Sequence, residues 1–242
     1  MTTILALEKI SKRFGAVVVA SEIDLALDEG EALGIIGPNG AGKTTLFGIA
    51  TGTVAPDGGR VIFAGADIMR LPPERRCRLG MARTFQIPQP FGGMTVFENV
   101  VVAAAFGGGR SERDAYGHCV DVLAQCGLAQ KANRPAGALT LLDRKRLELA
   151  RALAINPRLL LLDEVAGGLT EHECAALVAL IKDVRQSGVS IIWIEHVVHA
   201  LVATVDRLLV LHGGGFIAQG DPATVIRSPA VREIYMGIPA DA

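Results

Sequence analysis

The residues with the clearest chemical potential in this sequence are the nine from Gly37 to Thr45, which read G-P-N-G-A-G-K-T-T. They match the pattern G-x-x-x-x-G-K-[ST], and an apolar run, Ala32 to Ile36, precedes them. Glycines let consecutive backbone N–H groups turn inward around phosphate oxygens, and a helix that opens at about Gly42 adds the positive end of its dipole. Lys43 can reach the β- and γ-phosphates, and the Thr44 hydroxyl can ligate Mg²⁺. The loop therefore predicts a site for a nucleoside triphosphate, formed by Gly37, Asn39, Gly40, Ala41, Gly42, Lys43, Thr44 and Thr45.

Two adjacent acids, Asp163 and Glu164, follow the apolar run from Leu159 to Leu162. That run is too short for a helix on its own and is typical of a buried parallel strand. In open α/β sheets, ligands bind outside the carboxyl ends of the strands. We expect Asp163 to hold Mg²⁺, directly or through water, and Glu164 to polarise the attacking water. The alternative is a pair of solvated acids, and the phosphate-binding loop upstream favours the catalytic interpretation.

A histidine, His196, ends the next predicted strand, which runs through Ile191 to Glu195. A histidine at that edge could contact the γ-phosphate and sense its presence. A lone histidine is more often structural, but its position at a neighbouring strand end favours the catalytic interpretation here.

The remaining pattern predicts strands that alternate with helices, which indicates a parallel sheet covered on both faces. The predicted strands are 4–10, 16–28, 32–36, 60–63, 159–162, 189–194 and 208–211, of which the first two are antiparallel. Helices are predicted from Lys43, after Pro73, over 112–126, and after the caps Thr95 (with Glu98), Thr140 (with Asp143) and Thr170 (with Glu173). The block from 83 to 137 is predicted to be a helical insert in an α/β core.

Composition narrows the class of protein. The 242 residues are 50% hydrophobic and 20% charged, which excludes a disordered chain. The net charge of −1 argues against a nucleic-acid binder, because such domains carry a basic excess. No apolar run approaches the roughly 18–20 residues that span a bilayer, and no signal peptide is visible. Four scattered cysteines are typical of core residues in a reducing compartment, so we expect a cytoplasmic protein.

Together, these motifs resemble the ATP-binding subunits of ABC transporters over essentially the whole chain. The phosphate-binding loop, Thr84-Phe85-Gln86, the helical insert, the signature region before Arg151-Ala152-Leu153, the two acids and the strand that ends in His196 occur in that family's order. The resemblance implies one domain, 1–242, with a RecA-like P-loop NTPase core and a mostly parallel sheet (1–86 and 156–242). It also implies an N-terminal antiparallel β subdomain and a helical ABC-specific subdomain (87–155).

The resemblance also implies roles for further residues. Phe14 stands where the family stacks an aromatic ring on adenine, and Gln86 matches the glutamine that joins the Mg²⁺ site to the transporter-facing subdomain. Gln86 is therefore expected to act both as a metal ligand, with Thr44 and Asp163, and in catalysis, with Glu164 and His196. Thr140 is expected to contact the ATP of a partner subunit. The expected cofactors are ATP and Mg²⁺.

The finer resemblance is to the larger ATPase subunit of branched-chain amino acid importers. The supporting segments are Ala82 to Gln86, Met94 to Val100, Gln219 to Pro222 and Val231 to Gly237. This implies two transmembrane permease subunits, a second ATPase subunit, an indirect link to a solute-binding protein, no nucleic acid, and a place on the inner face of the membrane. Closure of two ATPase subunits around two ATP would drive the permeases. Phe91, Met94 and Phe97 are candidates for the docking groove, with a core role as the alternative.

The signature region departs from the family's L-S-x-G-Q. Leu142 replaces the glycine, and Asp143 stands where glutamine is expected. We expect the Asp143 charge to repel a partner's γ-phosphate and the basic residues Arg144, Lys145 and Arg146 to offset it. This would close the partner's site less tightly and favours a heterodimer with a related chain over the alternative, a homodimer. The alternatives are a lipopolysaccharide-type exporter ATPase, which shares the core, and a soluble non-transport ABC ATPase. A P-loop kinase does not explain Arg151-Ala152-Leu153 or His196. The transported solute is undetermined.

Overall fold

Strands and helices alternate along most of this chain, and the computed structural model describes residues 2–236. In that range the strands are β1 Thr3–Phe14, β2 Val17–Asp28, β3 Ala32–Ile36, β4 Gly58–Phe63, β5 Ala66–Asp67, β6 Met81–Arg83, β7 Leu159–Asp163, β8 Ser190–Ile194, β9 Arg207–His212 and β10 Gly215–Gly220. The α-helices are α1 Lys43–Thr51, α2 Pro73–Arg78, α3 Val96–Val102, α4 Glu112–Gln125, α5 Leu141–Ala154, α6 Glu171–Gln186, α7 Val198–Val202, α8 Pro222–Arg227 and α9 Pro229–Met236. Gly237, the last residue of the tail segment used in the sequence comparison, lies outside the described residues.

Within the described residues, the first of two compact units comprises residues 2–73 and 190–236. Its antiparallel sheet has the order β2-β1-β4-β5, which confirms the antiparallel pairing predicted for the first two strands. Its parallel strands are β9, β3 and β8, with β10 antiparallel to β9. Every residue of β3 and β8 is buried. Both faces of these strands are covered, which explains why their sequences are apolar without alternation.

The second unit comprises residues 74–189 and contains β6, β7 and the helices α3 to α6. β6 and β7 are parallel, and α3, α4 and α5 pack against one another over buried residues such as Val100, Cys119 and Leu147. This unit includes the whole predicted helical subdomain, 87–155, together with the strand that carries Asp163. The division of the chain at 87 and 155 stays a prediction.

Three helices begin at the predicted threonine caps. The side chains of Thr95, Thr140 and Thr170 each accept a hydrogen bond from the backbone N–H three residues later. At Thr95 and Thr170 the box is complete, because Glu98 and Glu173 accept bonds from the cap residue. The bond from the backbone N–H of each threonine is the main cause of a lowered pKa in the glutamate that accepts it. The caps are local, which explains why the sequence predicted them.

Short elements were not predicted. β5 has two residues, β6 has three, and β10 alternates half-buried and exposed residues without an apolar run. Such elements depend on the neighbouring strand that pairs with them, which the local sequence does not show. Helix α3 ends at Val102 and continues as a π-helical turn over Ala103–Gly107. No helix within residues 2–236 is both long and apolar enough to cross a membrane.

The cysteines are free thiols within the described chain. Cys119, Cys126 and Cys174 are buried, and Cys77 is partly buried, in agreement with the predicted core role. Burial raises the pKa of the Cys126 thiol to about 12.

Candidate functional site

The phosphate-binding loop of the first unit joins β3 to α1 and is packed closely against neighbouring backbone. A Cβ atom on Gly37 would lie 2.4 Å from the carbonyl oxygen of Leu211, and one on Gly42 would lie 2.5 Å from that of Val19. Gly42 also has a φ of 101°, in the left-handed region that favours glycine. Both positions therefore require glycine for steric reasons that are independent of any ligand.

Helix α1 starts at Lys43 directly behind this loop. In the described structure no side chain caps its N-terminus, and its first turn holds no acidic residue. Its backbone N–H groups and its dipole thus favour an anion from outside the helix. The buried Lys43 ammonium donates to the carbonyl oxygens of Gly37 at 2.7 Å and Pro38 at 3.0 Å, so it lies within the loop, while Thr44 is exposed.

His196 lies at the same sheet edge as the phosphate-binding loop. β8 is parallel to β3, with Ile35 opposite Ile194, so the residues that follow both strands leave the sheet on one side. His196 is exposed there, and its backbone N–H donates to the Glu195 carboxylate at 3.0 Å. The structure therefore brings the predicted sensor histidine and the loop to one edge of this unit.

Phe14 ends β1 in the hairpin that borders the loop. Its ring is 51% exposed, Phe14 pairs with Val17 across the turn, and the Lys12 ammonium lies 5.2 Å from the ring centroid. The same hairpin reaches the loop through the Val19 carbonyl beside Gly42. An exposed ring at this position can stack on a base, as the sequence predicts.

In the second unit, the carboxylate of Asp163 is buried and ion-paired. Arg83, at the end of β6, donates from Nη2 to Oδ2 of Asp163 at 2.8 Å, and their side chains are 11% and 3% exposed. The backbone N–H of Asp163 donates to the Thr84 hydroxyl at 3.2 Å. Sequence reasoning missed this role of Arg83, although Arg83 stands directly before the Thr84-Phe85-Gln86 segment.

Glu164 is held by its side chain and by its backbone. Its Oε2 accepts a hydrogen bond of 2.5 Å from the Gln86 amide, and its carbonyl oxygen accepts one of 3.4 Å from the buried Lys145 ammonium. Its φ of 48° is left-handed, which costs a residue other than glycine about 1–3 kcal/mol and is common at functional sites. The structure therefore brings Gln86 and Glu164 together, as expected of two cooperating residues.

The expected donors for Mg²⁺ are the Thr44 hydroxyl, the Gln86 amide oxygen and the Asp163 carboxylate. All are hard oxygen ligands, which Mg²⁺ prefers, usually with one or two carboxylates and several waters. The Asp163 environment already accommodates one cation, the Arg83 guanidinium. The chemistry of this donor set therefore fits Mg²⁺.

The signature region differs from the sequence expectation. Asp143 is buried, and its Oδ2 accepts a 2.5 Å bond from Lys131 and a 3.0 Å bond from the Thr140 hydroxyl. Arg144 donates instead to the carbonyl oxygens of Gly137 and Leu139. Asp143 is thus paired with Lys131. This lysine lies outside the basic run 144–146, which was expected to offset the charge of Asp143. The sequence carried no signal for Lys131, which lies 12 residues away.

The candidate docking residues divide into two kinds. Phe91 and Met94 are 47% and 39% exposed, which argues against the core alternative for both. Phe97 is half-buried and packs edge-on against the Tyr116 ring at 5.5 Å. Arg151 lies 5.2 Å from the Phe91 ring, so Phe91 is held beside helix α5.

Comparison with known proteins identifies the family. The family model described as ABC transporter matches residues 20–167, a range that contains the phosphate-binding loop, the signature region and both acids. This chain belongs to the ABC transporter ATPase family. The cassette is therefore an ATP hydrolase that binds nucleotide.

Several curated relatives match this cassette over nearly its full length. The high-affinity branched-chain amino acid transport ATP-binding protein BraF of Pseudomonas aeruginosa is 36% identical over 97% of the cassette and 98% of its own length. The corresponding proteins named LivG are 35% identical in Salmonella typhimurium and 34% identical in Escherichia coli K12, with the same coverage.

Solved structures confirm the fold. A nucleotide-free ATP-binding cassette from an ABC transporter and the ADP conformation of the cassette MJ1267 each give a TM-score of 0.89 at 30% identity. Each comparison covers 98% of this chain and all of the other. The α/β class with parallel and antiparallel sheets and a helical region is thereby confirmed.

Proposed function

We propose that this cassette is the ATP-hydrolysing subunit that energises an importer of branched-chain, hydrophobic amino acids. The observation that carries the proposal is the end-to-end similarity to BraF and LivG, whose names describe branched-chain amino acid transport. The family model ends at residue 167, whereas the match to BraF covers 97% of the chain and so includes most of the residues after 167. A lipopolysaccharide-type exporter and a soluble ABC ATPase share the core and are the alternatives.

The nucleotide is proposed to be ATP bound with Mg²⁺. Gly37, Asn39, Gly40, Ala41, Gly42, Lys43, Thr44 and Thr45 would hold the phosphates, and Phe14 would stack on the adenine. Thr44, Gln86 and Asp163 would hold Mg²⁺, which neutralises charge on the phosphates. Two features of the described residues support these roles: no side chain caps the N-terminus of α1, and Phe14 is exposed.

Glu164 is proposed to orient the attacking water and accept its proton, with Gln86 and His196 assisting. A base must be held within reach of the water, and the Gln86 amide fixes the Glu164 carboxylate at 2.5 Å. His196, exposed at the edge beside the loop, would contact the γ-phosphate. These roles make hydrolysis depend on both the loop and the segment that contains Gln86.

The proposed partners are two permease subunits, a second ATPase subunit and, indirectly, a solute-binding protein. The exposed Phe91 and Met94 would contact a permease on the inner face of the membrane. Thr140 would face the ATP of the second ATPase subunit. Because the signature departs from L-S-x-G-Q, a related ATPase chain is favoured over a second copy of this chain as that partner.

The test is the ATPase rate of the cassette alone and after co-expression with the proteins encoded beside it, reconstituted in nanodiscs. The rate is expected to be low alone and to rise when permeases and a binding protein loaded with leucine, isoleucine or valine are present. Strong activity alone, with no membrane partner recovered, would overturn the proposal.

A Glu164→Gln variant provides the control for hydrolysis. It should bind ATP normally and lower turnover on the order of 10²–10⁴-fold, because proton transfer to the base is lost. Near-normal turnover in this variant would remove Glu164 from the mechanism without affecting the transport assignment.

A further inference from the structure

The ion pair between Arg83 and Asp163 is built into the strand pairing of the second unit. β6 and β7 are parallel neighbours, and Arg83 is in register with Leu161. The backbone N–H of Thr84 donates to the Leu161 carbonyl at 2.9 Å, and the Thr84 hydroxyl accepts from the Asp163 N–H. These two bonds of Thr84, the residue after Arg83, hold the end of β6 against β7 and so keep the guanidinium beside the carboxylate.

The pair is also shielded from solvent. The side chains of Arg83 and Asp163 are 11% and 3% exposed, and their atoms approach to 2.8 Å. The guanidinium carbon lies 5.2 Å from the centroid of the Phe85 ring. Solvent screens a buried pair much less than a surface pair, so this contact has a large effect on how Asp163 interacts with any other cation.

One short segment contacts both acids. Arg83 binds Asp163, and three residues later Gln86 binds Glu164 at 2.5 Å. Phe85, between them, is half exposed. A shift of this segment would therefore change the contacts of Asp163 and Glu164 together.

We propose that Arg83 is a positioning residue that competes with Mg²⁺ for the Asp163 carboxylate and so sets the Mg²⁺ concentration that nucleotide binding requires. The proposal rests on the proposed role of Asp163 as a metal ligand. A guanidinium and Mg²⁺ have the same sign of charge, so stabilisation of the carboxylate by one weakens its attraction for the other. By linkage, the coupling is reciprocal.

The experiment measures ADP binding to the full chain by calorimetry at a series of Mg²⁺ concentrations, so that hydrolysis does not interfere. Arg83→Met removes the charge and keeps most of the side-chain length, and Arg83→Lys keeps the charge. The Mg²⁺ concentration for half-maximal ADP affinity should fall at least about 5-fold in Arg83→Met, the lower end of typical coupling between sites. Arg83→Lys should resemble the unmodified chain.

A matched control is Arg207→Met. Arg207 forms a partly buried pair with Glu31 at 2.8 Å within the first unit. Arg207 lies opposite Leu33 at the start of β3, whereas the loop that carries Thr44 follows the other end of that strand. Its removal should leave the Mg²⁺ dependence unchanged. If Arg83→Met does not fold, as judged by thermal unfolding, Arg83→Gln retains a hydrogen-bond donor without the charge and should show the same fall.

Two results separate failure of this proposal from failure of the proposed site. Asp163→Asn should weaken the effect of Mg²⁺ on ADP affinity; if it does not, the metal role of Asp163 fails and this proposal with it. The second result is that Asp163→Asn has its expected effect while a folded Arg83→Met or Arg83→Gln shows an equal or higher Mg²⁺ requirement. That result overturns the competition by Arg83 and leaves the metal role of Asp163 in place.

Discussion

Helices α1 and α5 both begin at a loop that sequence reasoning assigned to nucleotide binding, yet their N-termini differ in chemistry. α1 begins after Gly42, without a side-chain cap in the described structure and without an acid in its first turn. α5 begins after Thr140, whose side chain caps it, and has Asp143 in its first turn. The positive end of α1 is open to an external anion, while that of α5 already interacts with the chain's own carboxylate.

The comparison shows that a helix N-terminus serves as an anion site only if the chain leaves its donors available. At α5 the carboxylate is further neutralised by Lys131, so neither partner in that pair resembles a free charge. The sequence expectation that Asp143 repels a partner's phosphate is therefore revised: the structure supports a structural role for Asp143. The following predictions test this contrast, from the largest effect to the smallest.

Lys43→Ala is expected to weaken ADP and ATP binding on the order of 100-fold, because it removes a buried cation that lies within the loop. The matched control is Lys131→Ala, which removes the cation beside the other helix start. It should leave nucleotide affinity of the isolated chain unchanged. Calorimetric titration measures both variants, and equal losses in the two would abolish the contrast.

Gly42→Ala is expected to lower nucleotide affinity about 10-fold and stability by about 1–3 kcal/mol, because a Cβ there meets the Val19 carbonyl and the φ is strained. Gly188→Ala is the control: its φ of 91° is also left-handed, but no atom lies within 4 Å of the added Cβ. It should lose stability while binding nucleotide normally. Urea unfolding and titration with ADP distinguish the two, and unchanged binding in Gly42→Ala would refute the packing argument.

Asp143→Gln is expected to destabilise the chain by about 1–3 kcal/mol, because Lys131 and the Thr140 hydroxyl lose their shared acceptor; the partial exposure of Lys131 limits the effect. ADP affinity of the isolated chain should not change. The ATPase rate of the assembled complex should not rise. A clear rise in that rate would restore the repulsion hypothesis and is measured in the same nanodisc assay.

Thr140→Ala should cost about 1 kcal/mol through loss of the helix cap, whereas Thr140→Ser should cost less because it retains the hydroxyl. Both values come from urea unfolding. The two variants separate the two roles of Thr140. Loss of the helix cap lowers the stability of the isolated chain, whereas loss of a contact with a partner's ATP would change only the assembled complex. Equal stability of the two variants would contradict the capping role.

Local interactions account for most of what could be predicted. The phosphate-binding loop, the three threonine caps and the apolar face of α6, with Cys174, Leu177, Ile181 and Val184 buried, each follow from residues a few positions apart. The strands β3, β7 and β8 were predictable because they are continuous apolar runs. By contrast, β6 has only three residues, and its identity as a strand depends on β7 beside it.

The sequence by itself determined the family, and it located the predicted phosphate-binding loop and the two predicted catalytic acids, because these depend on residue types at fixed short spacings. Only the tertiary structure decided which groups surround those acids and Asp143. Arg83 and Asp163 are 80 positions apart, Gln86 and Glu164 are 78 apart, and Lys131 and Asp143 are 12 apart. Such pairs form when strand pairing and helix packing bring distant segments together, and no periodic pattern along the chain records that.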